Sequence, residues 1–114
     1  MTKTIFEKII LREIPANVHY EDNEIIVIDD INPTAPIHLL IIPKKKIETL
    51  NDIKDDDLKL VGRLFQIAKN MASKFGIDKT GYRTIFNCNK DGGQTVYHIH
   101  LHLLGGRSLG WPPG

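Results

Sequence analysis

The sequence predicts an α+β fold in which a five-stranded, mainly antiparallel sheet is combined with one short N-terminal helix and one long central helix. The long helix is indicated by apolar residues spaced three and four apart over residues 55–75. The sheet is indicated by short aliphatic runs bounded by proline, glycine, asparagine or aspartate. A third observation is a row of histidines at every second position, His98, His100 and His102, which is the spacing of one strand face.

The two helices are predicted by apolar periodicity and by the residues at their ends. Thr4 and Glu7 have the spacing of a capping box, and the apolar residues around them keep a helical period until Pro15 ends the segment. The central helix begins in an acidic run at residues 55–57 and ends before Gly76. Because both helices have one apolar face, we expect them to cover one face of the sheet.

The five strands are separated by breaks in the apolar pattern. They are predicted at residues 19–21, 24–30, 37–42, 82–87 and 95–104. The first two form a hairpin around the Asp22-Asn23 corner. In the fifth strand the three histidines occupy one face, and Ile99, Leu101 and Leu103 occupy the core face.

Composition limits the class of protein. A chain of 114 residues, 41% hydrophobic and 25% charged, is enough for one domain with a modest core, so we expect a single domain over residues 1–114. The net charge of +1 leaves no concentrated basic face, so we expect no nucleic-acid partner. No stretch approaches the roughly 20 apolar residues of a membrane span, so we expect no membrane association. Cys88 is the only cysteine, and we expect a cytoplasmic protein, with the nucleus as an alternative location.

Three interpretations of the histidine row are open from the residues alone. The histidines could form the solvated face of an amphipathic strand. Two of them could bind zinc with Cys88 as a further ligand, although three collinear strand positions span roughly 13 Å at about 3.3 Å per residue, which suits one ion poorly. The third interpretation is a nucleophilic imidazole assisted by two neighbours, since neutral histidine is a good nucleophile near pH 7.

The segment before the histidines favours the third interpretation. Residues 91–95 have the sequence Asp-Gly-Gly-Gln-Thr, which offers backbone N–H groups unshielded by side chains and one hydroxyl. Such groups bind anions, including phosphate. The residues therefore favour covalent phosphate chemistry, while the metal and purely structural interpretations stay open.

The run His98-Ile99-His100-Leu101-His102-Leu103-Leu104 resembles the signature of the histidine triad (HIT) superfamily, and more closely that of its Hint branch, the purine nucleoside phosphoramidases. The resemblance extends over nearly the whole chain. It is carried further by Ile5-Phe6, Arg12-Glu13-Ile14-Pro15, Tyr20-Glu21-Asp22, Asp30-Ile31-Asn32-Pro33, Ala35-Pro36, Ile42-Pro43-Lys44-Lys45, Gly81-Tyr82-Arg83, Asp91-Gly92-Gly93-Gln94 and Trp111-Pro112-Pro113-Gly114.

The resemblance implies a role for each matching residue. His100 is the implied nucleophile, which attacks the α-phosphorus of a nucleoside 5′-phosphoramidate and forms a nucleotidyl-histidine that water hydrolyses. The backbone carbonyl of His98 would orient its ring, and the side chains of His98, His102 and His38 would assist it. The implied phosphate-binding residues are Asn87, Gly93, Gln94 and Thr95. The implied nucleoside-binding residues are Asp30 at the ribose and Ile5, Phe6, Ile9, Ile31 and Leu40 around the purine.

The resemblance also implies the partners. We expect a purine nucleotide, with an AMP or GMP moiety, as the ligand, and a homodimer in which Trp111 contacts the partner subunit. We expect no cofactor and no metal. An alternative function is a nucleotide-binding scaffold or regulatory protein whose hydrolysis is vestigial. The presence of every implied catalytic position argues against this alternative.

Overall fold

The computed structural model describes residues 2–114. Its elements are α1 (Ile5–Ile10), β1 (Val18–Glu21), β2 (Ile25–Asp29), β3 (Ile37–Pro43), α2 (Leu58–Lys74), β4 (Tyr82–Ile85) and β5 (Leu101–Gly105). The strands form one antiparallel sheet in the order β1-β2-β3-β5-β4. This confirms the predicted fold class, a five-stranded antiparallel sheet with one short and one long helix.

The two helices lie on opposite faces of the sheet, so the expectation that both cover one face is wrong. One core contains α2 together with Ile25, Val27, Leu39 and Ile41. The other contains Phe6 and Ile9 of α1 together with Ile26, Ile28, Leu40 and Ile42. Strands β2 and β3 are therefore buried on both faces, which explains why their sequences are continuously apolar rather than alternating.

The helix ends follow the local sequence, with small shifts. The Thr4 hydroxyl accepts from Glu7 N and the Glu7 carboxylate accepts from Thr4 N, so the predicted capping box is confirmed. Helix α1 nevertheless ends at Ile10, well before Pro15. Helix α2 begins at Leu58, because Asp55–Asp57 form a 3₁₀ turn ahead of it. No helix within residues 2–114 has both the length and the apolar composition needed to cross a membrane.

The histidine segment enters the sheet later than predicted. Strand β5 covers only Leu101–Gly105, where it pairs with β3 on one side and β4 on the other. Strand β4 ends at Ile85, opposite His102, so the chain before Leu101 has no partner there. The alternation still holds, because Ile99, Leu101 and Leu103 are all buried, and Leu101 and Leu103 pack in the core beneath α2, away from the histidine rings.

Candidate active site

Two adjoining cavities on the α1 face of the sheet contain most of the predicted site residues. The inner cavity has a volume of about 250 Å³ and is walled by α1, β2, β3 and the loop before β5. The outer cavity has a volume of about 830 Å³ and is walled by residues 30–38, β4 and the C-terminal tail. Asp30, Asn32, Asn87 and His102 line both cavities and so mark the passage between them.

All six predicted nucleoside-binding residues line the inner cavity: Ile5, Phe6, Ile9, Asp30, Ile31 and Leu40. Phe6 and Ile9 are buried, whereas Ile31 is 83% exposed and forms the rim. Sequence reasoning missed two further apolar residues of this wall, Ile28 and Val96. Ile28 could have been found from strand register, because it pairs with Leu40, which in turn pairs with His102.

His100 presents one nitrogen to the inner cavity. Its Nδ1 lies 2.8 Å from the carbonyl oxygen of His98, which can only accept, so Nδ1 carries the proton and Nε2 carries a lone pair. The ring packs edge-on against Phe6, with ring centres 4.9 Å apart, and is 8% exposed as a residue. Burial lowers the pKa of His100 and outweighs the opposing hydrogen bond and the charge of Asp30. The ring is therefore a neutral, oriented nucleophile.

His102 and His38 form a chain of hydrogen bonds that fixes their tautomers. The backbone N–H of Thr34 donates to His38 Nδ1 at 3.1 Å, so the neutral His38 ring carries its proton on Nε2. That proton faces His102 Nδ1 at 2.9 Å. His102 therefore accepts at Nδ1, and its own proton lies on Nε2. Its ring centre is 4.9 Å from that of His100.

The pKa values of this pair favour the neutral form of both rings. Burial, with smaller contributions from His100 and His38, lowers the pKa of His102 to about 4. Burial also lowers the pKa of His38, against the opposing effect of Asp30. Without ligand the site thus holds neutral imidazoles beside the carboxylate of Asp30.

Asp30 is held at the passage by the backbone. Its Oδ1 accepts from Asn32 N at 2.8 Å, and its Oδ2 lies 3.3 Å from His38 Nε2. Each carboxylate oxygen keeps a further lone pair for hydroxyl groups of a ligand. The carboxylate is thus positioned before any ligand arrives.

His98 does not face either cavity, contrary to the expectation that its ring assists at the phosphate. It is fully buried, its Nε2 donates to the carbonyl of Pro43 at 2.7 Å, and its Nδ1 has no hydrogen-bond partner. The ring packs edge-on against Phe6. Only the backbone of His98 acts on the site, through the carbonyl that orients His100.

The glycine turn before the histidines supplies fewer donors than its sequence suggests. The N–H groups of Gly93 and Gln94 donate to the carbonyls of Lys90 and Asn89, so neither is free for an anion. Gly93 has φ +82°, and a Cβ on Gly92 would lie 2.5 Å from the carbonyl oxygen of Cys88, so both positions require glycine.

Gln94 is a structural residue of this turn, which corrects its expected role at the phosphate. Its amide nitrogen donates to the carbonyls of Glu48 and Val96, and its amide oxygen accepts from Asn89 N. Its side chain lines neither cavity. Asn87 and Thr95 do line the inner cavity beside the histidines, and Gly93 lines it with its backbone.

A metal ion is a poor fit to the acid and histidine cluster. Ligand atoms of Asp30, His38 and His102 lie within 4.8 Å of one another. A metal would need a lone pair on His38 Nε2, but the N–H of Thr34 keeps that lone pair on Nδ1. Binding an ion there would leave the Thr34 donor facing a protonated nitrogen.

Trp111 lies at the mouth of the outer cavity. It is 82% exposed, and its indole lies 6.0 Å from the Arg83 guanidinium. Arg83, which sequence reasoning did not assign, donates from Nη2 to the carbonyl of Gly110 at 2.9 Å and lines the same cavity. The predicted contact of Trp111 with a partner subunit stays a prediction.

The chain resembles several known proteins over almost its full length. The family model described as scavenger mRNA decapping enzyme C-term binding matches residues 3–110. The purine nucleoside phosphoramidase of Escherichia coli strain K12 is 50% identical over 108 residues, which cover 95% of this chain and 91% of that protein. A HIT family hydrolase from Legionella pneumophila, solved by crystallography, is 54% identical with a TM-score of 0.96, covering 98% of this chain and 100% of that one. A histidine triad protein from Clostridium difficile is 41% identical with a TM-score of 0.91, covering 96% and 97%.

Proposed function

Because this chain belongs to the histidine triad superfamily and is a HIT hydrolase, we propose that it hydrolyses purine nucleoside 5′-phosphoramidates through a nucleotidyl-histidine on His100. The observation that carries the proposal is the hydrogen bond from His100 Nδ1 to the His98 carbonyl, which leaves the Nε2 lone pair facing the inner cavity. The name of the relative from Escherichia coli supports the choice of substrate class.

The two cavities suggest where each part of the substrate binds. The purine occupies the apolar inner cavity between Phe6 and Leu40, and Asp30 accepts hydrogen bonds from the ribose hydroxyls. The phosphate then lies at the passage, beside His100, His102 and the side chains of Asn87 and Thr95. The amine extends into the outer cavity.

Binding supplies the proton that the first step needs. The negative phosphate raises the pKa of nearby imidazoles, so the pair formed by His38 and His102 takes up a proton when substrate binds. Asp30, 3.3 Å from His38 Nε2, stabilises the added charge. The added proton lies on His38 Nδ1, where the Thr34 hydroxyl 3.5 Å away can accept it, and His38 keeps its Nε2–H toward His102 Nδ1. His102 presents its own Nε2–H to the leaving amine.

In the first step a P–N bond to His100 forms as the P–N bond to the amine breaks. The lone pair on His100 Nε2 attacks phosphorus, and the departing nitrogen keeps the electron pair of its bond. His102 gives that nitrogen the proton from Nε2 and takes up the proton of His38 Nε2 at its own Nδ1, so both rings end neutral. The amine leaves neutral. His102 is left with a lone pair on Nε2, and the nucleotidyl group is on His100.

The second step reverses these roles. Water attacks phosphorus, His102 Nε2 takes a proton from the water, and His100 leaves with the electrons of its bond to phosphorus. Two in-line displacements give net retention of configuration at phosphorus, whereas one direct attack by water would give inversion.

The test is turnover of adenosine 5′-phosphoramidate by the wild type and by His100→Ala. Removal of the nucleophile should lower kcat by at least about a thousandfold. His19→Gln is the matched control, because His19 lies outside both cavities and an amide can keep the hydrogen bond to Asp29, which lines the inner cavity. Rapid quenching should trap a nucleotidyl adduct on His100. Hydrolysis of a chiral phosphorothioate substrate in labelled water with inversion would contradict the mechanism.

We also propose that the protein is a homodimer. Strand β4 is an edge strand, paired only with β5 within residues 2–114, and α2 exposes Phe65, whose ring packs edge-on against Phe86 just after β4. An open edge next to an exposed aromatic side chain suits pairing with a second copy. Sedimentation equilibrium should give twice the chain mass, and a monomer at all concentrations would refute this part.

A further inference from the structure

The outer cavity contains a cation that the reaction steps above do not use. Arg83 is the one lysine or arginine among the described residues that line this cavity. It forms no ion pair with a carboxylate within residues 2–114. Only Nη2 has an assigned acceptor, the carbonyl of Gly110. The guanidinium therefore keeps donors for a ligand.

The sheet register points Arg83 toward the leaving group. Ile85 pairs with His102 and Arg83 pairs with Leu104, so Arg83 lies two residues along β4 from the position opposite His102. Alternate residues of a strand share a face, so Arg83 and His102 lie on the same side of the sheet. Diagonal neighbours of this kind are about 7–8 Å apart, within reach of a long side chain.

The charges around the cavity make Arg83 selective. Asp30 is the acidic side chain that lines it, and the substrate phosphate adds further negative charge next to Asp30. A carboxylate on the leaving amine would be repelled by both if no cation lay beside it. A guanidinium binds a carboxylate by two parallel hydrogen bonds, which adds geometric preference to the charge.

We propose that the preferred leaving group is an amine that carries a carboxylate, as in a nucleoside phosphoramidate of an amino acid, and that Arg83 binds this carboxylate. The proposal rests on the phosphoramidase activity proposed above. The chemistry is unchanged: the P–N bond breaks, His102 protonates the nitrogen, and the amino acid leaves with its carboxylate intact.

The test compares two adenosine 5′-phosphoramidates that differ only in charge, one made from glycine and the other from glycinamide. We expect the wild type to favour the carboxylate by at least about tenfold in kcat/KM, the effect of one hydrogen-bonded ion pair. Arg83→Gln should reduce this ratio to one or below, and Arg83→Lys should give an intermediate ratio. Lys79→Gln, which removes a positive charge outside both cavities, should keep the wild-type ratio.

The ratio separates recognition from a structural role. If Arg83 only holds the tail through Gly110, Arg83→Gln lowers kcat/KM for both substrates equally, and the proposal is wrong. A ratio near one in the wild type also overturns it, while leaving the phosphoramidase activity standing. If the wild type hydrolyses neither these substrates nor adenosine 5′-phosphoramidate, the proposed function itself fails.

Discussion

Replacing His98 by phenylalanine should destabilise the protein while its catalytic activity persists. The His98 ring lies outside both cavities, and its contribution to the site comes from its backbone carbonyl, which any residue supplies. Phenylalanine fills a similar volume beside Phe6 but lacks the N–H that donates to Pro43. The change thus removes one buried hydrogen bond and little packing.

The expected loss follows from that hydrogen bond. Pro43 is fully buried, so its carbonyl would lose its partner without gaining water. Leaving a buried acceptor unpaired costs about 1–3 kcal/mol in the free energy of unfolding. His98→Gln is the matched variant, because its amide can donate to the same carbonyl and should recover part of the loss.

The loss should also depend on pH in a defined direction. Burial lowers the pKa of His98 below its ordinary value of 6.5, so the unfolded chain binds a proton that the folded protein does not. Above pH 6.5 the ring is neutral in both the folded and the unfolded chain, and the free energy of unfolding is at its full value. Below pH 6.5 the unfolded chain gains a proton, so the free energy of unfolding decreases as the pH falls. One such group contributes a slope of up to about 1.4 kcal/mol per pH unit. The phenylalanine variant lacks this group, so its deficit relative to the wild type should narrow in acid.

Urea unfolding followed by far-ultraviolet circular dichroism, at about pH 7.5 and at about pH 5.5, measures both effects across the histidine pKa. Trp111 is too exposed to report on the core by fluorescence. Protein concentration is kept constant because dimer stability depends on it. A deficit that stays constant with pH, or a kcat as low as that of His100→Ala, would refute the structural role of the His98 ring.

Three further predictions concern the site and its loop. Asp30→Ala should raise KM by the equivalent of about 1.5–3 kcal/mol and change kcat less, because contacts to the ribose are equal in the ground and transition states. Steady-state kinetics measures both constants, and a fall in kcat with KM unchanged would argue against the assignment. Gly93→Ala should lower the unfolding free energy by about 1–2 kcal/mol, since φ is +82°, and urea unfolding that matches the wild type would contradict the strain. Binding of AMP near neutral pH should be accompanied by proton uptake, because the pKa of His102 in the free protein is about 4 and the bound phosphate raises that pKa. Calorimetry in two buffers of different ionisation enthalpy measures the uptake, and equal binding heats in the two buffers would exclude proton uptake.

The sequence by itself predicted the parts that depend on neighbours along the chain. The capping box at Thr4 and Glu7 involves residues three apart, and the alternation of the histidines with buried aliphatic residues depends only on backbone period. The resemblance implied that six residues from distant elements bind the nucleoside together, and the fold brings all six to the inner cavity.

The tertiary structure decided which face each element covers. The apolar runs of β2 and β3 indicate strands, but only packing shows that α1 and α2 cover opposite faces. The length of β5 also depends on its neighbours. Strand β4 ends at Ile85, opposite His102, so the earlier residues of the histidine segment have no β4 residue to pair with, although their own sequence suits a strand.

Hydrogen bonds over long sequence separations decided what each histidine does. The three rings are equivalent in the motif, yet His98 bonds to Pro43, 55 residues away, and His102 bonds to His38, 64 residues away. Gln94 is likewise held by Glu48. A ring nitrogen or a side-chain amide is available for chemistry only if it is not already hydrogen-bonded to another group of the protein. Folding decides which groups come close enough to form such hydrogen bonds. The motif therefore determined which kinds of groups form the site, and the fold determined which of their atoms face the ligand.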